Sequence, residues 1–151
     1  AISLAKNFPN AKVTALDISR DALSVAEENA KLNNVNIDFI KADIFKYQAD
    51  NKYDVIVSNP PYVLESEKLL MRQNVLNFEP HKALFVKNNN PLKYFEFILG
   101  FSVNADADYI FFEINPDQFV NHKEYYEKLN FDYSFYNDFT YKKRFCRLVK
   151  S

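Results

Sequence analysis

The positions of apolar residues along the chain predict strands and helices in alternation. Short runs of β-branched and apolar residues predict strands, and apolar residues that recur every three or four positions predict amphipathic helices. Strands are expected at residues 12–16, 36–41, 53–58, 109–114, 132–136 and 144–149. Helices are expected at residues 1–6, 91 to about 103 and 116 to about 129, and over a segment that Ser19 caps and that ends near Asn33.

This alternation indicates an α/β fold with a doubly wound, mainly parallel sheet. Strands that are joined through helices pair in parallel, because the crossover helix returns the chain to the same end of the sheet. The last two strands are close in sequence, so we expect them to form an antiparallel hairpin at one edge. The near-continuous apolar run of Val55, Ile56 and Val57 is typical of a strand that is covered on both faces.

Polar residues follow three of the predicted strands. Asp17 comes at the end of the first strand, Asp43 follows the second, and Asn59 follows the third. In doubly wound sheets, ligands bind at the carboxyl ends of the strands, near the point where the strand order reverses. We therefore expect these three side chains to form one cluster.

The composition restricts the setting in which the chain works. Its 151 residues, 48% of them hydrophobic, suffice for one globular domain with its own core. The formal net charge of -1 disfavours nucleic acid as a partner, because binding to phosphates depends on positive charge. The single cysteine, Cys146, can form no internal disulfide, and no apolar run reaches the length of a membrane span. A cytoplasmic protein without membrane contact is the expectation.

The two acidic residues in this set suit a nucleoside. Asp17 has the position from which a carboxylate can accept hydrogen bonds from both hydroxyls of a ribose. Asp43 could accept a hydrogen bond from an exocyclic amine such as that of adenine. Each also has a structural interpretation, since Asp17 could cap the following helix and Asp43 could be an exposed turn carboxylate. Two such residues, one strand apart, favour a nucleoside-containing cofactor.

The strongest chemical signal is Asn59-Pro60-Pro61-Tyr62, which directly follows the third strand. The two prolines stiffen the backbone, so the side-chain oxygen of Asn59 and the carbonyl oxygen of Pro60 can be aimed at one point. Both are acceptors and together could hold an NH2 group, while Tyr62 offers a flat apolar face to a planar amide or base. Such a grip orients a poorly nucleophilic nitrogen for in-line attack. The alternative is a rigid turn without chemistry.

These motifs carry a resemblance to a known family. Asn59-Pro60-Pro61-Tyr62, with Asp17 and Asp43 upstream, resembles the class I, Rossmann-like methyltransferases that use S-adenosylmethionine on planar amino groups. The segment Phe78-Glu79-Pro80 and the closing residues 138–144 are similar to those of the protein-(glutamine-N5) methyltransferases. That family modifies peptide chain release factors, which act in translation termination.

The resemblance implies a role for each residue of the candidate site. The cofactor would be S-adenosylmethionine, with S-adenosylhomocysteine as its product. Its binding residues would be Asp17 and Ile18 at the ribose and Asp43 and Ile44 around the adenine, where the family often has an aromatic residue in place of Ile44. Asn59 would lie between cofactor and substrate. Residues 59–62 would receive the glutamine of the release factor's Gly-Gly-Gln loop, so Asn59, Pro60, Pro61 and Tyr62 are the expected catalytic residues.

Other functions stay open on this reasoning. The same motif could serve a methyltransferase that modifies N6 of adenine or N2 of guanine in nucleic acid, although the net charge and the Phe-Glu-Pro segment argue against it. A folded partner-binding module without activity is the third alternative. A metal site is not expected, because His81 and His122 are far apart and lack the spacing of metal-binding motifs.

One feature departs from the family's pattern. Glycine occurs once, at Gly100, and the first residue is Ala1. In the family, a glycine-rich loop that holds the methionine part of the cofactor lies upstream of the helix at residues 1–6, together with the first strand and a helical substrate-recognition domain. We therefore expect residues 1–151 to be a partial methyltransferase domain, the carboxyl-terminal part of a longer protein.

We predict that residues 1–151 alone bind S-adenosylmethionine weakly or not at all, because they lack a glycine-rich loop. Titration calorimetry of this chain with the cofactor measures the affinity. Binding in the micromolar range would contradict the prediction.

Overall fold

Parallel strand pairs form the framework of both units into which the chain divides, Ala1–Gln48 and Ala49–Ser151. The computed structural model describes residues 1–49, 51–71, 76, 80–129 and 131–150. The longest helix in these residues has 13 residues, and no described helix has the length and apolar character to cross a membrane.

The first unit contains a parallel pair of strands and two helices. Its elements are α1 (Ile2–Asn7), β1 (Thr14–Asp17), α2 (Arg20–Leu32) and β2 (Asp38–Lys41). Strand β1 pairs with β2 from Thr14 opposite Asp38 to Asp17 opposite Lys41. Because parallel strands in this register end at the same level, the residues that follow them leave the sheet at the same edge.

The ends of α2 follow from local sequence. The Ser19 hydroxyl oxygen accepts a hydrogen bond from the backbone N–H of Ala22 at 3.2 Å, which satisfies one of the free donors of the first turn. Leu23 and Ala30 are buried on the face that packs on β1 and β2. Asn34, just past the end of the helix, has a φ of 53°, a left-handed conformation that asparagine tolerates better than most residues. The predicted cap and end of this helix are confirmed.

The second unit is organised by a four-stranded sheet in the order β3-β6-β8-β7. Its elements are β3 (Val55–Ser58), β4 (Val63–Leu64), a 3₁₀ helix (Glu65–Leu70), α3 (His81–Leu84), β5 (Phe85–Val86), α4 (Lys93–Asn104), β6 (Tyr109–Glu113), a 3₁₀ helix (Pro116–Gln118), α5 (Phe119–Tyr126), β7 (Phe131–Asn137) and β8 (Lys143–Lys150). Strand β6 is parallel to β3, whereas β8 is antiparallel to both β6 and β7. Strands β4 and β5 form a separate, short parallel pair.

The core of the second unit lies between its sheet and helices α4 and α5. Phe95 of α4 is fully buried and packs edge-on against Phe112 of β6, with ring centroids 5.1 Å apart, and against His122 of α5 at 4.4 Å. Burial lowers the pKa of His122 to about 4, so its imidazole is neutral at pH 7. The same face of the sheet buries Ile110, Phe112, Cys146 and Leu148.

The predicted fold class is confirmed: the chain is α/β, with parallel strand pairs and an antiparallel carboxyl-terminal hairpin. The helix that was expected from residue 116 divides into a 3₁₀ turn and α5. The stretch from 59 to 90, to which the sequence pattern assigned no element, contains β4, α3 and β5. Strands of two residues and a helix of four are too short to show a hydrophobic period.

The prediction that β3 is covered on both faces is wrong. Val55 and Val57 are 47% and 55% exposed, and their cross-strand neighbours Tyr109 and Phe111 on β6 are exposed on the same face. Among the described strands, β3 pairs only with β6, and α4 and α5 pack on the opposite face of the sheet. An apolar run shows that a strand is suited to burial, but not which of its faces another element covers.

Replacing Phe95 by alanine tests the core. We expect Phe95→Ala to lower the free energy of unfolding by about 3–5 kcal/mol, because it removes a buried ring and leaves a cavity between α4 and the sheet. Urea denaturation followed by circular dichroism measures the change. The matched control is Phe139→Ala in the β7–β8 turn, where the ring is 95% exposed and we expect a change of about 0.5 kcal/mol or less. Equal losses in the two variants would contradict this account of the core.

Candidate active site

Residues 59–62, here named the Asn-Pro-Pro-Tyr corner, connect β3 directly to β4. Asn59, at the start of the corner, is exposed to solvent, whereas Pro60 is buried and Tyr62 is half-buried. No described residue forms a hydrogen bond with the Asn59 side chain, so its amide oxygen is available to a ligand. The proline rings restrict the backbone of the corner, which limits the directions in which this oxygen can point.

The far end of the corner is fixed by a hydrogen bond to the neighbouring strand. The Tyr62 hydroxyl donates to Oε1 of Glu113 at 2.7 Å. Glu113 is the last residue of β6, and Ser58 at the end of β3 lies opposite Phe112, so the corner begins where β6 ends. Burial, with a further contribution from Glu113, raises the pKa of Tyr62 to about 12, while Arg144 acts in the opposite direction. The phenol is therefore a proton donor at all physiological pH values.

A second carboxylate holds the chain just after the corner. Glu67 accepts a hydrogen bond from the backbone N–H of Leu64 at 2.8 Å and from the side-chain amide of Asn115 at 3.3 Å. Asn115 is buried, and its amide oxygen in turn accepts from the backbone N–H of Asp117 at 3.1 Å. The end of β6 and the residues just after it thus contact both sides of β4: Glu113 contacts Tyr62 before it, and Asn115 contacts Glu67 after it.

The turn between β7 and β8 supports the same region. Oδ1 of Asp138 accepts hydrogen bonds from the backbone N–H and hydroxyl of Thr140, at 2.8 and 2.6 Å, and from the backbone N–H of Lys142 at 3.2 Å. Its Oδ2 accepts from Nε of Arg144 at 3.2 Å. These donors, the Thr140 hydroxyl foremost, hold the pKa of Asp138 at about 2. The carbonyl of Arg144 accepts from the backbone N–H of Ile114 at 2.8 Å, so Arg144 is anchored beside the end of β6.

The predicted cofactor residues lie in the first unit, at the carboxyl ends of adjacent strands. Asp17 ends β1, and its Oδ1 accepts from the backbone N–H of Ser19 at 2.7 Å. Asp43 follows β2, and its Oδ1 accepts from the backbone N–H of Phe45 at 3.0 Å. The backbone also links the two strand ends, since the carbonyl of Asp17 accepts from Ala42 N–H at 3.1 Å. Each carboxylate forms a local turn through one oxygen, and no described residue donates a hydrogen bond to the other oxygen.

An open cavity and apolar surface lie beside the predicted cofactor residues. Asp17 lines an open cavity of about 380 Å³ between α1, β1 and α2. Ile18, beside it, is 61% exposed, and Ile44, beside Asp43, is half-buried, so apolar surface lies next to each carboxylate. The structure brings Asp17, Ile18, Asp43 and Ile44 to one edge of one unit. The Asn-Pro-Pro-Tyr corner belongs to the other unit, and one cluster of all three strand ends stays a prediction.

The two histidines are used structurally in the part of the chain that the structure describes. The His81 ring lies 3.1 Å from the carbonyl oxygen of Leu76 and packs edge-on against Phe85, while His122 is in the core. Among the described residues, no three His, Cys, Asp or Glu side chains are placed to hold a metal ion. Phe78 and Glu79 of the Phe-Glu-Pro segment lie outside the described residues.

The sequence motifs did not predict Glu113 and Arg144 as residues of the site. A signal for Glu113 was present, because it follows the apolar residues of a strand in the same way as Asp17 and Asn59 do. Arg144 has no comparable signal, since it lies within a strand and its contacts depend on the hairpin turn.

Comparison with known proteins assigns the chain to a family. Residues 1–98 match the methyltransferase small domain family. The chain belongs to this family. It is 45% identical over 134 residues to the release factor glutamine methyltransferase of Flavobacterium psychrophilum. The aligned residues are 87% of this chain and 47% of that protein. The protein of the same name from Bacteroides thetaiotaomicron is 44% identical over 119 residues, 76% of this chain and 43% of that protein.

The chain spans about half the length of the curated relatives it matches. A crystal structure of a methyltransferase from Pyrococcus furiosus has a similar fold, with a TM-score of 0.68 and 18% identity over 99% of this chain and 68% of that chain. At that identity the likeness shows the fold alone. The resemblance to release factor glutamine methyltransferases is confirmed, while the role of each site residue stays a prediction.

Asp138 makes the stability of the chain depend on pH. Its pKa of about 2 in the folded chain lies below the ordinary value of 3.8, so its contribution is complete above about pH 4 and is lost as the pH falls toward 2. We expect Asp138→Asn to lower the free energy of unfolding at pH 6, and the difference from the unaltered chain to narrow between pH 4 and pH 2. Urea denaturation across this range measures it.

The matched control is Asp132→Asn, at an exposed position on β7 of the same hairpin. We expect this variant to differ little from the unaltered chain at every pH. A difference for Asp138→Asn that stays constant down to pH 2 would contradict the assignment.

Proposed function

We propose that the protein that contains this chain transfers a methyl group from S-adenosylmethionine to the side-chain amide nitrogen of a glutamine in the Gly-Gly-Gln loop of peptide chain release factors. The observation that carries the proposal is the Asn-Pro-Pro-Tyr corner at the end of β3, with Asn59 exposed and Tyr62 tied to Glu113. The relatives' printed name, release factor glutamine methyltransferase, supports a methyl transfer to glutamine of release factors.

The residues of the first unit suit the cofactor's nucleoside. Asp17 would accept the ribose hydroxyls through the oxygen that Ser19 does not use, with Ile18 beside it. Asp43 would accept from the adenine amine, and Ile44 offers apolar surface to the ring. When bound, S-adenosylmethionine supplies a methyl group on a sulfonium, whose departure leaves a neutral thioether.

The corner would do its work by holding the substrate's NH2 group. The lone pair of an amide nitrogen is delocalised into the carbonyl, so this nitrogen is a poor nucleophile and gains most from being positioned. Asn59 Oδ1 and the Pro60 carbonyl oxygen would each accept one N–H hydrogen, and Pro61 would keep the backbone between them and Tyr62 stiff. The Tyr62 ring would lie against the plane of the amide.

The step is a single displacement. The amide nitrogen would form a bond to the methyl carbon while the carbon–sulfur bond breaks with its electron pair going to sulfur, and the nitrogen would release one proton to water. Asn59 and Pro60 would contribute to this step in two ways. They orient the nitrogen, and they accept hydrogen bonds from its N–H groups, which become more acidic as the bond forms. Their oxygens are neutral, which matches a neutral amide substrate.

An Asn59→Ala variant of the full-length protein tests the proposal. We expect methyl transfer to a purified release factor to fall by about 100-fold or more in kcat/KM, the scale of effect that misplacement of a reacting group produces. Transfer of a labelled methyl group measures the rate. The control is Asn121→Ala, at an exposed position on α5, which should leave the rate unchanged.

Two outcomes would overturn the proposal. One is normal turnover by Asn59→Ala. The other is methyl transfer by the unaltered protein to RNA or DNA but not to release factors, which would make the corner a grip for a base amine.

A further inference from the structure

We propose that Glu113 is a positioning residue for the reaction: its carboxylate fixes the Tyr62 hydroxyl and thereby the plane of the ring against which the substrate amide lies. This inference rests on the proposed function for its chemical meaning. It assigns a role in the proposed reaction to a residue of β6, which lies outside the Asn-Pro-Pro-Tyr corner.

The first support is the geometry of the contact. At 2.7 Å, the hydrogen bond between the Tyr62 hydroxyl and Oε1 of Glu113 has the length of a strong O–H bond to an ionised acceptor. A tyrosine side chain has only two rotatable torsions, so an anchor at its far end, added to the backbone at its near end, leaves the ring one orientation. A phenylalanine at position 62 could pack in the same place but would lack this anchor.

The second support is that the backbone next to Glu113 is itself held in place. The backbone just beyond Glu113 is bound to β8, since Ile114 N–H donates to the Arg144 carbonyl at 2.8 Å. The Arg144 guanidinium lies close enough to lower the pKa of Tyr62. Its Nε donates a hydrogen bond to Oδ2 of Asp138 at 3.2 Å, which holds the guanidinium in place. The backbone that presents the acceptor is therefore bound to β8, and Arg144 of β8 lies beside the Tyr62 hydroxyl before any substrate binds.

The third support is the place of the contact in the fold. Two other links already hold the segment after the corner: the pairing of β4 with β5 and the contact of Glu67 with Asn115. Neither reaches the ring of Tyr62. The Tyr62 hydroxyl, only three residues from the exposed Asn59, donates its hydrogen bond to Glu113, and Arg144 also lies within hydrogen-bonding reach of the hydroxyl.

The test is a double-mutant cycle in the full-length protein, with Tyr62→Phe, Glu113→Ala and the two combined. Because both single variants remove the same hydrogen bond to a charged group, we expect each to lower kcat for release factor methylation by about 10- to 100-fold. The combined variant should lose no more than Tyr62→Phe alone, and the KM for S-adenosylmethionine should stay within about twofold. Glu113→Gln keeps an acceptor oxygen and should recover part of the loss.

Matched controls come from a second tyrosine–glutamate pair in the same unit. The Tyr133 hydroxyl donates to Oε1 of Glu127 at 3.1 Å, away from the corner. Tyr133→Phe and Glu127→Ala should leave kcat unchanged. NMR of protein labelled with ¹³C at the tyrosine ring carbon that bears the hydroxyl gives a readout that requires no substrate: the Tyr62 signal should titrate at lower pH in Glu113→Ala than in the unaltered protein.

The outcomes separate the two proposals. Losses in kcat that multiply in the combined variant, or a Tyr62 titration that Glu113→Ala leaves unchanged, would overturn the positioning role. Failure of the unaltered protein to methylate release factors would instead overturn the proposed function, and the NMR titration would still decide whether Glu113 fixes Tyr62.

Discussion

The register between β3 and β6 is the constraint on which the candidate active site depends. Ser58 lies opposite Phe112, so the two parallel strands end together and the Asn-Pro-Pro-Tyr corner starts at the point where Glu113 is presented. The corner is then fixed at its beginning by strand pairing, along its length by two prolines and at its end by a carboxylate. This arrangement gives a connecting segment the rigidity of the sheet, which is what a site that acts by orientation needs.

Charge is used in this region to hold the protein's own groups. The carboxylates of Glu113, Glu67 and Asp138 each accept hydrogen bonds from backbone or side-chain donors of neighbouring segments. The exposed group at the corner, Asn59, is neutral. Desolvation of a neutral acceptor costs far less than desolvation of a carboxylate. In the proposed function, the carboxylates hold the protein's own segments and the uncharged Asn59 is the group that would face the ligand.

The parts of this architecture that local signals encode could be predicted from the sequence. The Ser19 cap, the strand positions and the stiff corner after the third strand all depend on residues within a few positions of one another. The contact between Tyr62 and Glu113 could not be predicted, because the two residues are 51 positions apart. The hydrophobic pattern of the sequence also does not indicate that the third and fourth predicted strands are neighbours in the sheet. The exposed face of β3 was missed for a related reason: the run of Val55 to Val57 is apolar whichever elements cover it.

The alternation of side chains along β3 has a consequence for how this chain tolerates sequence change. A substitution within the strand alters one contact, whereas insertion or deletion of a single residue would turn every later side chain to the opposite face. Asn59 would then leave the end of β3 in the opposite direction, and Tyr62 would lose its partner although the strand could still pair. Substitutions in this strand are therefore tolerated more readily than changes in its length.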